Sequence, residues 1–321
     1  MPLHIRRGWE IAENRVTPES FVLGRRAALA GLAAGAAGLG IGGPAFAQAV
    51  PGAAGGAAAG AAGPMNETYK AGRDLTQEKY ATTYNNYYEF SESKNLWRDA
   101  QDMKLRPWSI QIDGMVGKPR TIDIDDLFKQ VRFEERIYRH RCVEAWAMTV
   151  PWTGFPLSQL VSLAEPLSGA KYVVFQTGED KAMSNVGAPF YPFPYTEGVT
   201  IEEAANDVAF ISTGMYGKKL PPQDGGPIRL TLPWKYGFKS AKAIVKVSFT
   251  DKRPHTFWAT IGPSEYGFWA NVNPDVPHPR WSQASETLLG TNERVPTQIF
   301  NGYGEYVAGL YAGLKGESLF M

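Results

Sequence analysis

Between Ser109 and Thr250 the chain repeats short runs of β-branched and aromatic residues, each closed by Gly, Pro or Asp, and that rhythm fits little besides a strand-rich fold. The runs span residues 109–112, 137–141, 172–176, 208–212, 228–232 and 243–250, and runs of this length between turn-forming residues read as strands. Helical stretches are fewer and shorter. One starts at Asp123-Ile124-Asp125-Asp126-Leu127-Phe128, and another runs from Pro156 to Leu163. Thr200-Ile201-Glu202-Glu203 has the spacing of a capping box, in which a threonine and a glutamate three residues on satisfy each other's backbone N–H. Strand and helix do not alternate, which argues for an α+β domain with mixed sheets over a doubly wound parallel one. Apolar residues make up 44% of the chain and aromatic residues 12%, enough for a sizeable core. No internal repeat is visible.

The first 65 residues have a different character. A polar stretch ends in Arg25-Arg26, an Ala/Gly/Leu stretch runs from Ala27 to Gly43, and Ala45-Phe46-Ala47 precedes Gln48. A basic region, an apolar region and a small-x-small site, in that order, form a secretory signal. Paired arginines before a weakly hydrophobic, Gly-rich run point to the twin-arginine route, which exports folded proteins, with cleavage after Ala47. A membrane anchor is the competing reading, but it needs about 20 strongly apolar residues. Here only Leu29, Leu32, Leu39 and Ile41 are large. Pro51 to Pro64 is entirely Ala, Gly and Pro and reads as part of a flexible tether over 48–65. A single folded domain is expected over 66–321. The balance of 33 basic against 32 acidic side chains, with no block of like charge, gives no reason to expect a nucleic-acid partner.

Cys142 is the only cysteine, so an internal disulfide is impossible. A buried, inert thiol is the plain alternative. The sequence around it, Tyr138-Arg139-His140-Arg141-Cys142-Val143-Glu144-Ala145-Trp146, favours a thiolate stabilised by positive neighbours, the form that binds soft metals. Glu144 lies two residues further on, and in an extended segment would point to the same side. That makes it a candidate group at the metal, against the alternative of a structural ion pair with Arg139 or Arg141. The run Phe190-Tyr191-Pro192-Phe193-Pro194-Tyr195 serves either to line a substrate mouth or to pack as a rigid loop.

Arg141-Cys142-Val143-Glu144-Ala145-Trp146 followed by Trp152-Thr153-Gly154-Phe155-Pro156-Leu157 resembles the molybdopterin-binding domain of the sulfite oxidase family. Tyr84 to Phe90, Pro233 to Lys239, and Glu265 to Phe268 continuing to Ser282-Gln283 resemble, more narrowly, its YedY branch of periplasmic protein-methionine-sulfoxide reductases. The segments keep the family's order across nearly all of the chain after residue 65. The resemblance implies one molybdenum held by a molybdopterin dithiolene and by Cys142. It places cofactor contacts at Asn85, Tyr88, Glu89, Thr177, Asp224, Arg229, Ser240, Ala241 and Lys242. The residue types suit such a cofactor. Arg229 and Lys242 can hold a phosphate, with the Ser240 hydroxyl or N–H assisting, and Asn85 and Glu89 can accept from pterin N–H groups. In one place the chain departs from the family. Where Pro-Gln-Asn-Gly is usual, it has Pro222-Gln223-Asp224-Gly225.

The resemblance further implies reduction of methionine sulfoxide in exported proteins, with electrons from a haem-bearing membrane subunit fed by quinone, because the chain itself has no haem motif, flavin fingerprint or cysteine cluster. Two other readings compete. One is a sulfite-oxidising or other small-molecule S-oxide enzyme, the former normally carrying a dimerisation domain after the cofactor domain. The other is a non-enzymatic, aromatic-rich periplasmic binding protein, suggested by nine Trp and fifteen Tyr.

Overall fold

A computed structural model describes residues 63–321; the expected signal segment and nearly all of the expected tether lie outside them. The strands are β1 (Ser109–Gly114), β2 (Arg120–Asp123), β3 (Glu134–Arg141), β4 (Trp146–Pro156), β5 (Tyr172–Thr177), β6 (Thr196–Thr200), β7 (Phe210–Met215), β8 (Lys218–Lys219), β9 (Arg229–Thr231), β10 (Ile244–Thr250), β11 (Ser285–Leu288) and β12 (Arg294–Pro296). Each of the six β-branched or aromatic runs contributes a strand, and the fold is the strand-rich α+β type expected. Pro64 and Asn66 already exchange backbone hydrogen bonds with Glu135 at the edge of β3.

Two mixed sheets form. The smaller has the order β2-β1-β10-β5-β6, with β1 and β10 parallel and the other pairs antiparallel. The larger runs β12-β11-β4-β7-β8, with β3 also paired to β4 and β9 to β7. Period-2 alternation explains β1, whose Ile110 and Ile112 turn inward, and β5, where Val173, Phe175 and Thr177 do so. β4 is different. Ten of its eleven residues are buried, because it lies inside the larger sheet with both faces covered. A strand buried on both faces loses its alternation, and Pro151, Gly154 and Pro156 obscure it further.

Helices are short. Asp123 caps Ile124–Phe128 by accepting from the Asp125 N–H. Leu157–Ala164 buries Leu157, Leu160, Val161 and Ala164 on one face. The Thr200/Glu203 capping box is present in full ahead of Ile201–Ala205. One apolar cluster runs through both sheets.

The segment from Pro222 to β10 connects the sheets. Leu230 N–H donates to the Ala241 carbonyl, Ile244 N–H to Ile228, and Ala243 N–H to Gly225. Gly178, at the end of β5, donates to Ala243. Within this segment Lys235 is fully buried against Glu203 (2.5 Å), and Lys239 against Glu197 (2.5 Å). A buried pair of this kind adds little net stability but is costly to break, so these lysines fix the path of the turn that leads into Ser240–Lys242.

Candidate active site

Cys142 sits at the tip of the β3–β4 hairpin. Its carbonyl accepts from Ala145 N–H (3.1 Å) and its N–H donates to Trp146 (3.0 Å). With Ala145 at φ 65°, this is a three-residue hairpin loop whose last residue is left-handed. Along β3 the side chains alternate. His140 and Cys142 face a cavity of about 850 Å³, counted out to its open mouth, whereas Arg139 and Arg141 face away. Arg141 is buried on Glu286 (2.7 Å) and Gln283 (2.8 Å), and Arg139 on Gln298 and the Asn301 carbonyl. Arg141 still favours the Cys142 thiolate through its charge, but less than Lys94 does, and burial outweighs both. Burial, followed by the Glu144 charge, pushes the Cys142 thiol up to about 12.

Glu144 does lie beside the sulfur, with Oε2 3.6 Å from Sγ, but a turn puts it there, not an extended strand. Its ion pair is with Lys94 (2.6 Å), not with either arginine. Asn86 Nδ2 donates to both Glu144 (3.0 Å) and Cys142 Sγ (3.3 Å), and Trp146 Nε1 donates to Glu144 (3.1 Å). Burial alone would raise the Glu144 pKa, but the bonds from Lys94, Asn86 and Trp146 outweigh it and hold the carboxyl below its usual range. Glu144 is thus an anchored carboxylate at neutral pH, and a general acid needs the opposite shift.

Part of the cavity lining is cationic. Arg229, at the start of β9, donates to the Asp224 and Leu230 carbonyls and lies over the Trp152 ring. Lys242 Nζ donates to the Asn86 (2.9 Å) and Gln223 (2.7 Å) carbonyls. Among the described residues neither cation has a carboxylate hydrogen bond. Burial, then Arg229, brings Lys242 down to about 7, and burial brings Arg229 down to about 10. His140 is held neutral, near 3, by burial and then by the same two cations. Two buried cations that, among the described residues, share only Asp224 as a carboxylate charge neighbour and hydrogen-bond to carbonyls could hold an anionic group. Gly225 makes this crowding possible. It is at φ 95°, and a Cβ there would come within 2.8 Å of the Lys242 side chain.

Asn85 Nδ2 donates to Asp224 Oδ1 (2.7 Å), leaving Asn85 Oδ1, Asp224 Oδ2 and the Tyr87 hydroxyl buried without partners around the same cavity. Buried polar atoms normally find partners, so these point to a polar occupant such as a pterin ring. Burial raises Glu89 to about 7 and Asp224 to about 6. For Asp224 the native state then binds more protons than the unfolded chain between about pH 4 and 6, so its contribution to stability falls as pH rises through that window, by on the order of 3 kcal/mol. Asp224→Asn should leave the thermal midpoint of cofactor-free protein nearly unchanged at pH 4 and raise it at pH 8. An unchanged midpoint at pH 8 would mean that Asp224 is already neutralised by Lys242.

Of the residues picked from sequence, Cys142, Glu144, Asn85, Tyr88, Glu89, Asp224, Arg229, Ser240 and Lys242 line this one cavity. Thr177 and Ala241 do not. The Thr177 hydroxyl donates to the Lys242 carbonyl (2.8 Å), so it shapes the backbone of the cationic part. The Ser240 N–H is spent on Gly237 and its Oγ accepts from Leu232 N–H, leaving only the hydroxyl proton to offer. The Phe190–Tyr195 loop divides its roles. Tyr191, Phe193 and Tyr195 pack on Phe257, Tyr195 also lines the cavity, and Phe190 is 85% exposed. Sequence reasoning missed Asn86, Lys94, Trp258 and Tyr266. Asn86 had a signal in its place beside Asn85. Lys94 and Trp258 had none, since their contacts are distant in sequence.

A thiol, a cationic pocket and unsatisfied polar atoms around one cavity, in a strand-rich frame, define a cofactor-binding oxidoreductase, and residues 98–258 match the oxidoreductase molybdopterin-binding domain family, to which the chain belongs. Within it, the chain is 43% identical over 98% of its length, and 96% of the other's, to the protein-methionine-sulfoxide reductase catalytic subunit MsrP of Burkholderia mallei (strain ATCC 23344). The sulfane dehydrogenase SoxCD of Paracoccus pantotrophus is a slight structural likeness, with TM-score 0.42 and 17% identity over 58% of this chain and 48% of that one.

Proposed function

We propose that this chain is the catalytic subunit of a molybdenum-dependent protein-methionine-sulfoxide reductase, acting in the periplasm on oxidised exported proteins. The observation that carries this is the make-up of one cavity: a buried cysteine sulfur, two buried cations that among the described residues hydrogen-bond only to carbonyls, and buried polar atoms without partners all line it. The 43% identity to an enzyme named for that reaction supports the choice of substrate.

Converting R₂S=O to R₂S and water consumes two electrons and two protons. Bound Mo-molybdopterin supplies the oxygen acceptor and the electron relay. The chain's own residues do the rest. Arg229 and Lys242 hold the cofactor phosphate, with the Ser240 hydroxyl donating beside them. Asn85, Glu89 and Asp224 meet the polar ring. Cys142 supplies a thiolate to the metal. Tyr88, Trp258 and Tyr266, packed edge to face or tilted at 4.8 and 5.1 Å, form an aromatic wall for a thioether side chain. Glu144 remains ionised near the sulfur, suited to ordering water or accepting a proton.

Electrons come from a haem-bearing, quinone-linked membrane subunit. Among the described residues no helix is long and apolar enough to cross a membrane. The deciding experiment is metal analysis of purified protein together with reduction of methionine sulfoxide by an artificial donor. Protein that takes up no molybdenum, or that oxidises sulfite and leaves methionine sulfoxide untouched, would overturn this function.

Export is tested separately. Arg25→Lys with Arg26→Lys should leave the protein in the cytoplasm, because the twin-arginine route reads the paired arginines. Recovery from the periplasm at the wild-type level would exclude that route.

A further inference from the structure

Asn86 carries an amide that can turn either of two faces toward Cys142. Its oxygen would repel the sulfur's lone pairs, whereas its NH₂ can donate to them. In the structure Nδ2 lies 3.3 Å from Cys142 Sγ and 3.0 Å from Glu144 Oε2. Two contacts fix the choice of face: the Glu144 carboxylate accepts from Nδ2, and Oδ1 is held by Lys94. Its ammonium has donors only, and it is hydrogen-bonded to Asn86 Oδ1 while also spanning both Glu144 oxygens at 2.8 and 2.6 Å. With a cation on Oδ1, the NH₂ has to face the sulfur. Lys94 arrives from the loop after the Tyr84–Phe90 segment, with its side chain about one quarter exposed, and it does not line the cavity itself.

We propose that Lys94 is a positioning residue that acts on the metal centre through Asn86, by locking its amide so that an N–H···S bond falls on Cys142. This rests on Cys142 being the molybdenum ligand. Hydrogen bonds to a ligating sulfur withdraw electron density from it and shift the reduction potential of the metal it holds. Lys94 therefore sets how readily the centre accepts electrons without touching substrate or cofactor.

The test is a redox titration of the molybdenum-loaded enzyme, followed by its paramagnetic signal. Lys94→Met should lower the midpoint potential, because the sulfur becomes a stronger donor. Lys94→Arg, which also carries only donors and keeps the charge, should restore most of it. Asn86→Leu should lower the potential as well, and adding Lys94→Met to Asn86→Leu should produce no further shift. An equal shift from Lys94→Met with or without Asn86 would overturn the proposal, since the lysine would then act by its field or through Glu144. Absence of any shift would overturn it too. Cofactor-free protein gives a second reading that does not depend on loading. The Asn86 side-chain amide should give one sharp pair of NMR resonances in the wild type and broadened or doubled ones in Lys94→Met; unaltered resonances would count against the lock. A wild-type protein that binds no molybdenum would instead overturn the proposed function, and this inference with it.

Discussion

Cys142→Ser protein is expected to fold to nearly the wild-type thermal midpoint, and to reduce methionine sulfoxide at least about 10²-fold more slowly, a barrier increase of about 2.7 kcal/mol. Serine fills almost the same volume, and the residue is only 5% exposed, so packing is little disturbed. The chemistry changes far more. A soft thiolate is replaced by a hard, mostly protonated hydroxyl that makes a poor ligand for the metal. The cationic residues Arg229 and Lys242, proposed to hold the cofactor phosphate, are untouched, so the pterin should still bind. Activity within a factor of about ten of wild type would show that Cys142 is not an essential ligand. Release of the pterin would show that the sulfur, and not the cationic pair, anchors the cofactor.

Arg229→Met tests the cationic pair and predicts two effects of opposite sign. A buried charge-assisted contact to a phosphate is worth about 3–5 kcal/mol when one partner is deleted, so molybdenum occupancy after purification should fall to a few per cent of wild type or below. Cofactor-free Arg229→Met should nevertheless be as stable as the wild type, or more so. In the wild type the guanidinium is buried, its hydrogen bonds among the described residues go to carbonyls, and the charge of Asp224 offsets its burial only in part, so replacing it by an apolar side chain of similar length removes a desolvation cost. Thermal midpoints of the cofactor-free proteins and metal content of the loaded ones separate these effects. A large loss of stability in the cofactor-free variant would move Arg229 from cofactor binding to scaffold.

Much of the fold was legible because the amphipathic strands announce themselves. β1 and β5 alternate cleanly, and the Thr200/Glu203 box marks its helix to the residue. β4, the longest strand, was not read, for the reasons that make it central: both faces are buried, and its prolines and Gly154 resemble a loop. Edge strands such as β8 and β12 are too short to carry a pattern. Around the site, residues carried by contiguous segments were found, Cys142 and Asn85 among them. The two arginines beside Cys142 were read as its positive neighbours, yet strand period alone sends the side chains of residues 139 and 141 away from those of 140 and 142. Lys94 was invisible. It meets Glu144 fifty positions along the chain, and nothing local distinguishes it from any solvated lysine.

The segment that ties the two sheets together also carries Asp224, Arg229, Ser240 and Lys242, while Asn85 and Cys142 arrive from other parts of the chain. No hairpin, single sheet or early fragment presents the complete site. Arg229 belongs to a strand of the larger sheet, Lys242 lies two residues before one of the smaller, and only the docking of the two brings both cations onto one cavity. A cofactor that needs all of these residues could be held only once the two sheets have docked. Retention of a pterin would therefore report that the long-range packing between the two sheets is complete.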